Sequence, residues 1–208
     1  MRVPVAAEGW PFILPPAAAA CIIGWMGWWG AATVFAVASL AFLGFFRDPD
    51  RTPPDLPGAV LAPADGRVMA VVEQMDPWVG QAVRVSIFLS PLDVHVNRAP
   101  VGGLVKNVEY AAGRFMAAYR PEASEENERC TVSLEGETAR VAVRQIAGVL
   151  ARRIVCRARP GDTLRAGERY GLIRFGSRTD LVLPRGTEVR VRVGDRVKGG
   201  KSVMGVLR

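Results

Sequence analysis

Charge disappears from the chain between Gly9 and Phe46 and returns at Arg47, so the hydropathy pattern divides the molecule before any motif is considered. As one helix, positions 12–46 would extend roughly 50 Å, too long for a single crossing of a hydrocarbon core about 30 Å thick. Gly24, Gly27 and Gly30, interleaved with Trp25, Trp28 and Trp29, offer a place to bend. The pattern predicts two short helices, near 16–28 and 31–46, folded as a hairpin. Indole rings at the bend suit a membrane interface. Pro15-Pro16 interrupts the early part, and no charged region adjoins a short apolar one. The stretch therefore reads as a retained anchor rather than a signal peptide.

The polar run Arg47-Asp48-Pro49-Asp50-Arg51-Thr52-Pro53-Pro54 marks a boundary. Residues 1–46 are thus assigned to a membrane-associated segment and 47–208 to a globular domain. Beyond the boundary, Val68–Val72, Val83–Leu89, Arg140–Ile146 and Val189–Val193 are rich in β-branched residues, several with period-two alternation. Helical periodicity is poor throughout. The domain is expected to be mostly β.

A weak internal repeat refines that expectation. Gly161-Asp162-Thr163-Leu164-Arg165-Ala166-Gly167 recurs as Gly194-Asp195-Arg196-Val197-Lys198-Gly199-Gly200. Gly-Asp-x-apolar-x-x-Gly suits a tight turn, with Asp bonding to backbone beyond it and Gly supplying positive φ. The same wording occurs in lipoyl and biotinyl carrier domains and related hybrids of β-sandwich type, so the fold class is a duplicated barrel-sandwich-hybrid-like β domain preceded by an apolar helical hairpin. A carrier would present its modifiable Lys at an exposed hairpin tip, and neither copy has a Met-Lys or Asp-Lys tip.

The formal charge of +7 belongs to the part after the hairpin, since Arg2 and Glu8 cancel. The basic residues are scattered rather than clustered with aromatics. Beside a membrane segment, anionic head groups account for the excess better than nucleic acid. Cys21, Cys130 and Cys156 have no CxxC spacing and read as reduced, buried thiols facing a cytosol. A single His, His95, argues against catalytic zinc, which usually takes two or three.

Four local features carry candidate chemistry. Asp65 lies in the Gly-bounded turn Pro63-Ala64-Asp65-Gly66. His95 lies in Ser90-Pro91-Leu92-Asp93-Val94-His95-Val96-Asn97-Arg98, after an apolar strand. Asn127-Glu128-Arg129 precedes another strand, and Gly176-Ser177 follows Gly171-Leu172-Ile173-Arg174-Phe175. Each has an ordinary explanation alone; their order and wording together do not.

That ordered set resembles the phosphatidylserine decarboxylase family in its short bacterial or archaeal form. The matching stretches are Phe46-Arg47-Asp48-Pro49, Ala62 through Gly66, Phe88 through His95, Asn127-Glu128-Arg129, Gln145 through Gly148 with Ala151 through Ile154, and Gly171 through Pro184. The resemblance implies autocatalytic cleavage between Gly176 and Ser177. The Ser177 hydroxyl would attack the Gly176 carbonyl. β-Elimination from the ester and loss of ammonia would leave a pyruvoyl group, with a large chain 1–176 and a small chain 177–208. The pyruvoyl carbonyl would take the substrate amine as a Schiff base and accept the electrons freed as CO₂ leaves. No metal is implied.

His95 is the implied proton donor and partner of the substrate amine, and Asp65 the acid linked to self-cleavage, as base or as orienter of Ser177. Longer family members often carry a second His three positions after the one matching His95, where this chain has Arg98. Either Asp65 acts directly on Ser177 or His95 serves both steps. Arg98, Ser90 and Arg178 are candidates to bind the lipid phosphate or carboxylate.

The resemblance also implies phosphatidylserine in the bilayer as substrate, phosphatidylethanolamine plus CO₂ as products, an inner-membrane location with the domain on the cytoplasmic side, and no nucleic-acid partner. A homo-oligomer is compatible with it. The rival from another class is a non-enzymatic membrane adaptor or carrier-like β protein, which would stay a single chain. A zinc peptidase on a similar duplicated fold meets the objection of the single His. A pyruvoyl decarboxylase for a soluble amino acid would have little use for the anchor.

Overall fold

The computed structural model describes residues 3–117, 120, 122–149, 153–174 and 177–207. It divides into two units, Met1–Asp50 and Arg51–Arg208.

In the first unit, a single 3-10 turn (Ala7–Gly9) leads into α1 (Trp10–Trp25), and α2 spans Trp29–Phe45. The helix α1 runs through Pro15 and Pro16 instead of starting at them. Those prolines leave the carbonyls of Pro11 and Phe12 without an intrahelical donor. The run Ala17–Ala20 favours helix beyond them, and Phe12 packs on Phe42 and Phe46 at centroid distances of 5.8 and 5.5 Å. Ser39 Oγ donates to the Ile13 carbonyl at 3.0 Å, tying the two helices. Ala7–Trp25 is long and apolar enough to cross a membrane, whereas Trp29–Phe45 is shorter. Cys21 is exposed on α1, contrary to the expectation of burial; an all-apolar helix packed against one neighbour leaves its remaining faces outward.

The second unit is mostly β. Its strands are β1 (Ala59–Leu61), β2 (Gly66–Asp76), β3 (Gly80–Leu89), β4 (Val96–Arg98), β5 (Gly103–Ala111), β6 (Arg129–Glu135) and β7 (Arg140–Ala147). There follow β8 (Ile154–Cys156), β9 (Thr163–Leu164), β10 (Arg169–Ile173), β11 (Ser177–Pro184), β12 (Glu188–Val189), β13 (Arg196–Val197) and β14 (Val203–Val206). A one-turn helix, α3 (Ala123–Glu126), lies between β5 and β6.

An antiparallel sheet of eight strands runs β13-β2-β3-β11-β7-β6-β5-β9, and two smaller sheets run β4-β10-β8 and β1-β14-β12. Period-two burial places Ile87, Leu89, Val143, Leu181 and Leu183 in one core with Tyr170 and Met204.

The two repeat copies form the two edges of the large sheet, β9 at one and β13 at the other. In each, the Asp carboxylate accepts a backbone N–H three residues earlier: Arg159 to Asp162 and Arg192 to Asp195, both 2.8 Å. This is backbone before the Asp rather than beyond it. The closing glycines Gly167 and Gly200 have φ of 78° and 71°, the left-handed region that disfavours a side chain. They also approach one another, since a Cβ on Gly200 would lie 3.5 Å from the Gly167 Cα. The sheet is therefore curled, with its repeat-bearing edges brought together.

One expected strand is shortened. Of Val189–Val193, only Glu188–Val189 pairs, with β14, although Arg190 N still donates to Met204 O. Val193 is exposed.

Candidate active site

Register places six strand ends together. Arg67, Phe88, Arg178, Ile146, Arg129 and Ala111 form one row across β2, β3, β11, β7, β6 and β5. Just beyond it, Ser177 is paired with Leu89 on one side and Ala147 on the other. Asp65 precedes β2 and Ser90 follows β3 at this same end. His95 joins them through the adjacent small sheet, where its carbonyl accepts Ile173 N–H at 3.2 Å, four residues before Ser177.

Ser177 opens the central strand β11, fully buried, and its Oγ has no hydrogen-bond partner among the described residues. Directly paired residues share a face, so Ser177 lies on the face of Ala147, which packs with Ile173 and Ile154. A buried hydroxyl left without a partner costs about 1–3 kcal/mol. Gly176 lies outside the described residues, as do Phe175, Ala151 and Arg152.

His95 is 1% exposed, and its Nδ1 is 2.9 Å from the Asp93 carbonyl. A carbonyl only accepts, so Nδ1 carries the proton in this contact. Asp65 is held by Arg51, which also donates to Gly199 O at 2.6 Å, while Gly199 N donates to Asp65 Oδ1 at 2.8 Å. Gly66 begins β2 so close to β3 that a Cβ there would sit 2.1 Å from the Phe88 carbonyl. Two strand spacings, roughly 10 Å, separate Gly66 from Ser177.

The remaining candidates are placed differently. Ser90 is half-buried at the mouth; its Oγ accepts Leu92 N–H at 3.2 Å and its N–H donates to Asp93 Oδ2 at 2.8 Å, fixing the turn before His95. Arg98 is 2% exposed and donates to the Gly167 carbonyl at 3.1 Å, with its Cδ 2.8 Å from where a Gly200 Cβ would stand. It packs between the two repeat turns. Arg178 points to the opposite face of β11 from Ser177, as neighbouring strand residues must. There it donates to Asp180 at 2.6 and 3.1 Å and to Ser86 Oγ at 2.8 Å.

Three further residues couple the site and were not singled out from the sequence. Asn97 donates to Thr179 Oγ1 at 3.1 Å and accepts from Gln145 Nε2 at 2.9 Å, all three fully buried. Asn97 is two residues after His95, and Thr179 two after Ser177, so period two sets each pair on one face. Gly171 leaves room for Gln145, whose Nε2 would be 3.0 Å from a Cβ there. The one available signal was the polar residues interrupting apolar strands.

Comparison with known proteins decides the family. The family model described as phosphatidylserine decarboxylase matches residues 38–205. The chain belongs to the phosphatidylserine decarboxylase family. Similar relatives are named phosphatidylserine decarboxylase proenzyme. That of Nitrosomonas europaea is 46% identical over 202 residues, 96% of this chain and 94% of its own. That of Nocardia farcinica is 47% identical over 211 residues, 98% of this chain and 88% of its own. That of Desulfotalea psychrophila is 42% identical over 214 residues, covering 98% and 97%. The stretch matched by the decarboxylase family contains Asp65, Ser90, His95, Arg98, Ser177 and Arg178.

Proposed function

We propose that this chain is a phosphatidylserine decarboxylase proenzyme that cuts itself between Gly176 and Ser177, giving chains 1–176 and 177–208, and forms phosphatidylethanolamine and CO₂ from phosphatidylserine. The observation that carries the reading is Ser177 Oγ, buried without a hydrogen-bond partner among the described residues, at the sheet end where Asp65 and Ser90 also lie and near which His95 is tied to Ile173. A hydroxyl so placed fits conversion to a pyruvoyl group, because no structural bond is lost with it. The group would supply an electrophilic carbonyl that binds an amine and draws electrons from the carboxylate bond.

The chain's own residues do the rest. His95 Nε2, set by the Asp93 carbonyl on the other nitrogen, exchanges the proton at the substrate carbon. Asp65, engaged by Arg51 and Gly199, acts as orienter of the processing site rather than as a base aimed at Ser177. Ser90 is the substrate-contacting candidate its location favours. Arg98 and Arg178, committed to Gly167 and Asp180, act through the scaffold. Leu89 and Ala147 on either side of Ser177 keep water out of the reacting centre.

Retention of the small chain follows from topology. It would hold β11, paired over eight positions with β3 and six with β7, together with β12, β13 and β14. The fold is read as a duplicated barrel-sandwich hybrid, its repeats at the two sheet edges. The apolar unit serves as anchor in the inner membrane, with the basic domain on the cytoplasmic side and bilayer phosphatidylserine as partner.

Intact mass of the purified protein tests this, alongside decarboxylation of phosphatidylserine. Wild type should give two chains, the smaller blocked to amino-terminal sequencing, and Ser177→Ala one inactive chain. A single wild-type chain active on the lipid would overturn the mechanism; a single inactive chain would favour the adaptor reading.

A further inference from the structure

Three segments leave the sheet end around Ser177, and each carries an apolar side chain outward. Leu92 is 83% exposed in the turn that follows Leu89, the β3 partner of Ser177. Val149 is 57% exposed two residues after Ala147, its β7 partner. Phe115 is 42% exposed and stands beside Met116, whose backbone N–H and carbonyl are both bonded by the Asn127 side chain. Asn127 in turn donates to the Ala147 carbonyl at 2.7 Å, fixing that segment to the same end. Leu, Phe and Val exposed together at one end of the sheet are an interaction surface rather than scattered surface hydrophobics.

The surrounding charge identifies the occupant. Arg114 adjoins Phe115 and is 76% exposed, paired there with Glu126 at 3.1 Å. Arg196 is 75% exposed, 4.0 Å from Asp93 in the Leu92 turn. Arg153 is exposed where its carbonyl accepts Arg174 N–H, three residues before Ser177. Apolar tips among exposed guanidiniums complement the acyl boundary beneath anionic head groups.

We propose that Leu92, Phe115 and Val149 form a rim that inserts into an anionic bilayer, with Arg114, Arg153 and Arg196 at head-group level, so that a lipid head reaches Ser177 without leaving the membrane. The proposal rests on the decarboxylase reading for its substrate, not for the insertion itself.

Two measurements on the full chain separate these. Amide hydrogen exchange with phosphatidylcholine–phosphatidylserine vesicles should slow in segments 90–95, 113–117 and 148–149 relative to detergent, but not in the turn at 75–80. Unchanged exchange in the three segments would overturn the rim, whatever the enzyme does. In kinetics, Leu92→Asp should raise the apparent KM for vesicle phosphatidylserine about tenfold, the effect of withdrawing one Leu from apolar surroundings. Its rate on a dispersed short-chain phosphatidylserine and its self-cleavage should match wild type. Equal loss on both substrates, or none on vesicles, would sink the rim. Wild type inactive on both, with the segments still protected, would sink the decarboxylase reading and leave the rim.

Discussion

The two faces of β11 treat their polar groups in opposite ways. On one, Ser177 Oγ is buried without a partner among the described residues. On the other, Asp180 is fully buried yet takes Arg178, Ser124 Oγ at 3.3 Å and, at 4.0 Å, Arg84. The same strand thus carries an unsatisfied hydroxyl and, three residues on and on the opposite face, a compensated carboxylate. An unsatisfied group costs stability and is kept where it reacts; a compensated one stabilises the sheet around it. On the proposed mechanism, the difference separates the group that would change chemically from the groups that hold it.

Substitutions on the two faces should therefore shift stability in opposite directions. Asp180→Ala leaves Arg178 buried beside Arg84 without its carboxylate, a loss of about 3–5 kcal/mol. For a unit of this size the melting temperature should fall by roughly 10 °C by calorimetry. Ser177→Ala, although it abolishes chain cutting, should hold or raise stability by about 1 kcal/mol, because it removes an unpaired hydroxyl. A Ser177→Ala protein that melts well below wild type would show that Oγ has a structural partner, and the contrast would collapse.

The next contrast concerns Asp65. If it orients the processing site, its clamp matters as much as its basicity. Arg51→Ala and Asp65→Asn should then slow the appearance of the small chain by comparable factors of about ten or more, measured by pulse-chase gel. If Asp65 is the base, Asp65→Asn stops cutting while Arg51→Ala leaves or speeds it.

Much of the fold was legible because β-branched alternation and Gly-Asp turns are local signals. β2, β3 and β7 lie over the predicted stretches, and both repeat turns form as turns. Register was not legible. It alone makes Leu89, Ser177 and Ala147 neighbours and assigns Ser177 and Arg178 to opposite faces, although period two already argued against adjacent residues sharing a pocket. Arg51 was read as part of a linker, since its partners stand 14 and 148 positions away. The strand expected to reach Val193 pairs with β14 only as far as Val189, a tertiary outcome invisible to propensity. The helix through Pro15-Pro16 has the same origin, with packing overriding a local breaker.

The smallest effect bears on how the reactive face is held. Thr179 Oγ1 is the acceptor that joins Asn97, two residues from His95, to the strand of Ser177. Thr179→Val keeps the shape and removes that acceptor, leaving Asn97 Nδ2 with the Pro63 carbonyl at 3.5 Å. The cost should be about 1 kcal/mol. Because the bond links the segments bearing His95 and Ser177, cutting should slow severalfold, and Thr179→Ser should restore both stability and rate. A Thr179→Val protein that loses stability but cuts normally would show that the network only packs the core. Slowed cutting rescued by Ser would show that the reactive face depends on the Asn97–Thr179 bond in the layer behind Ser177.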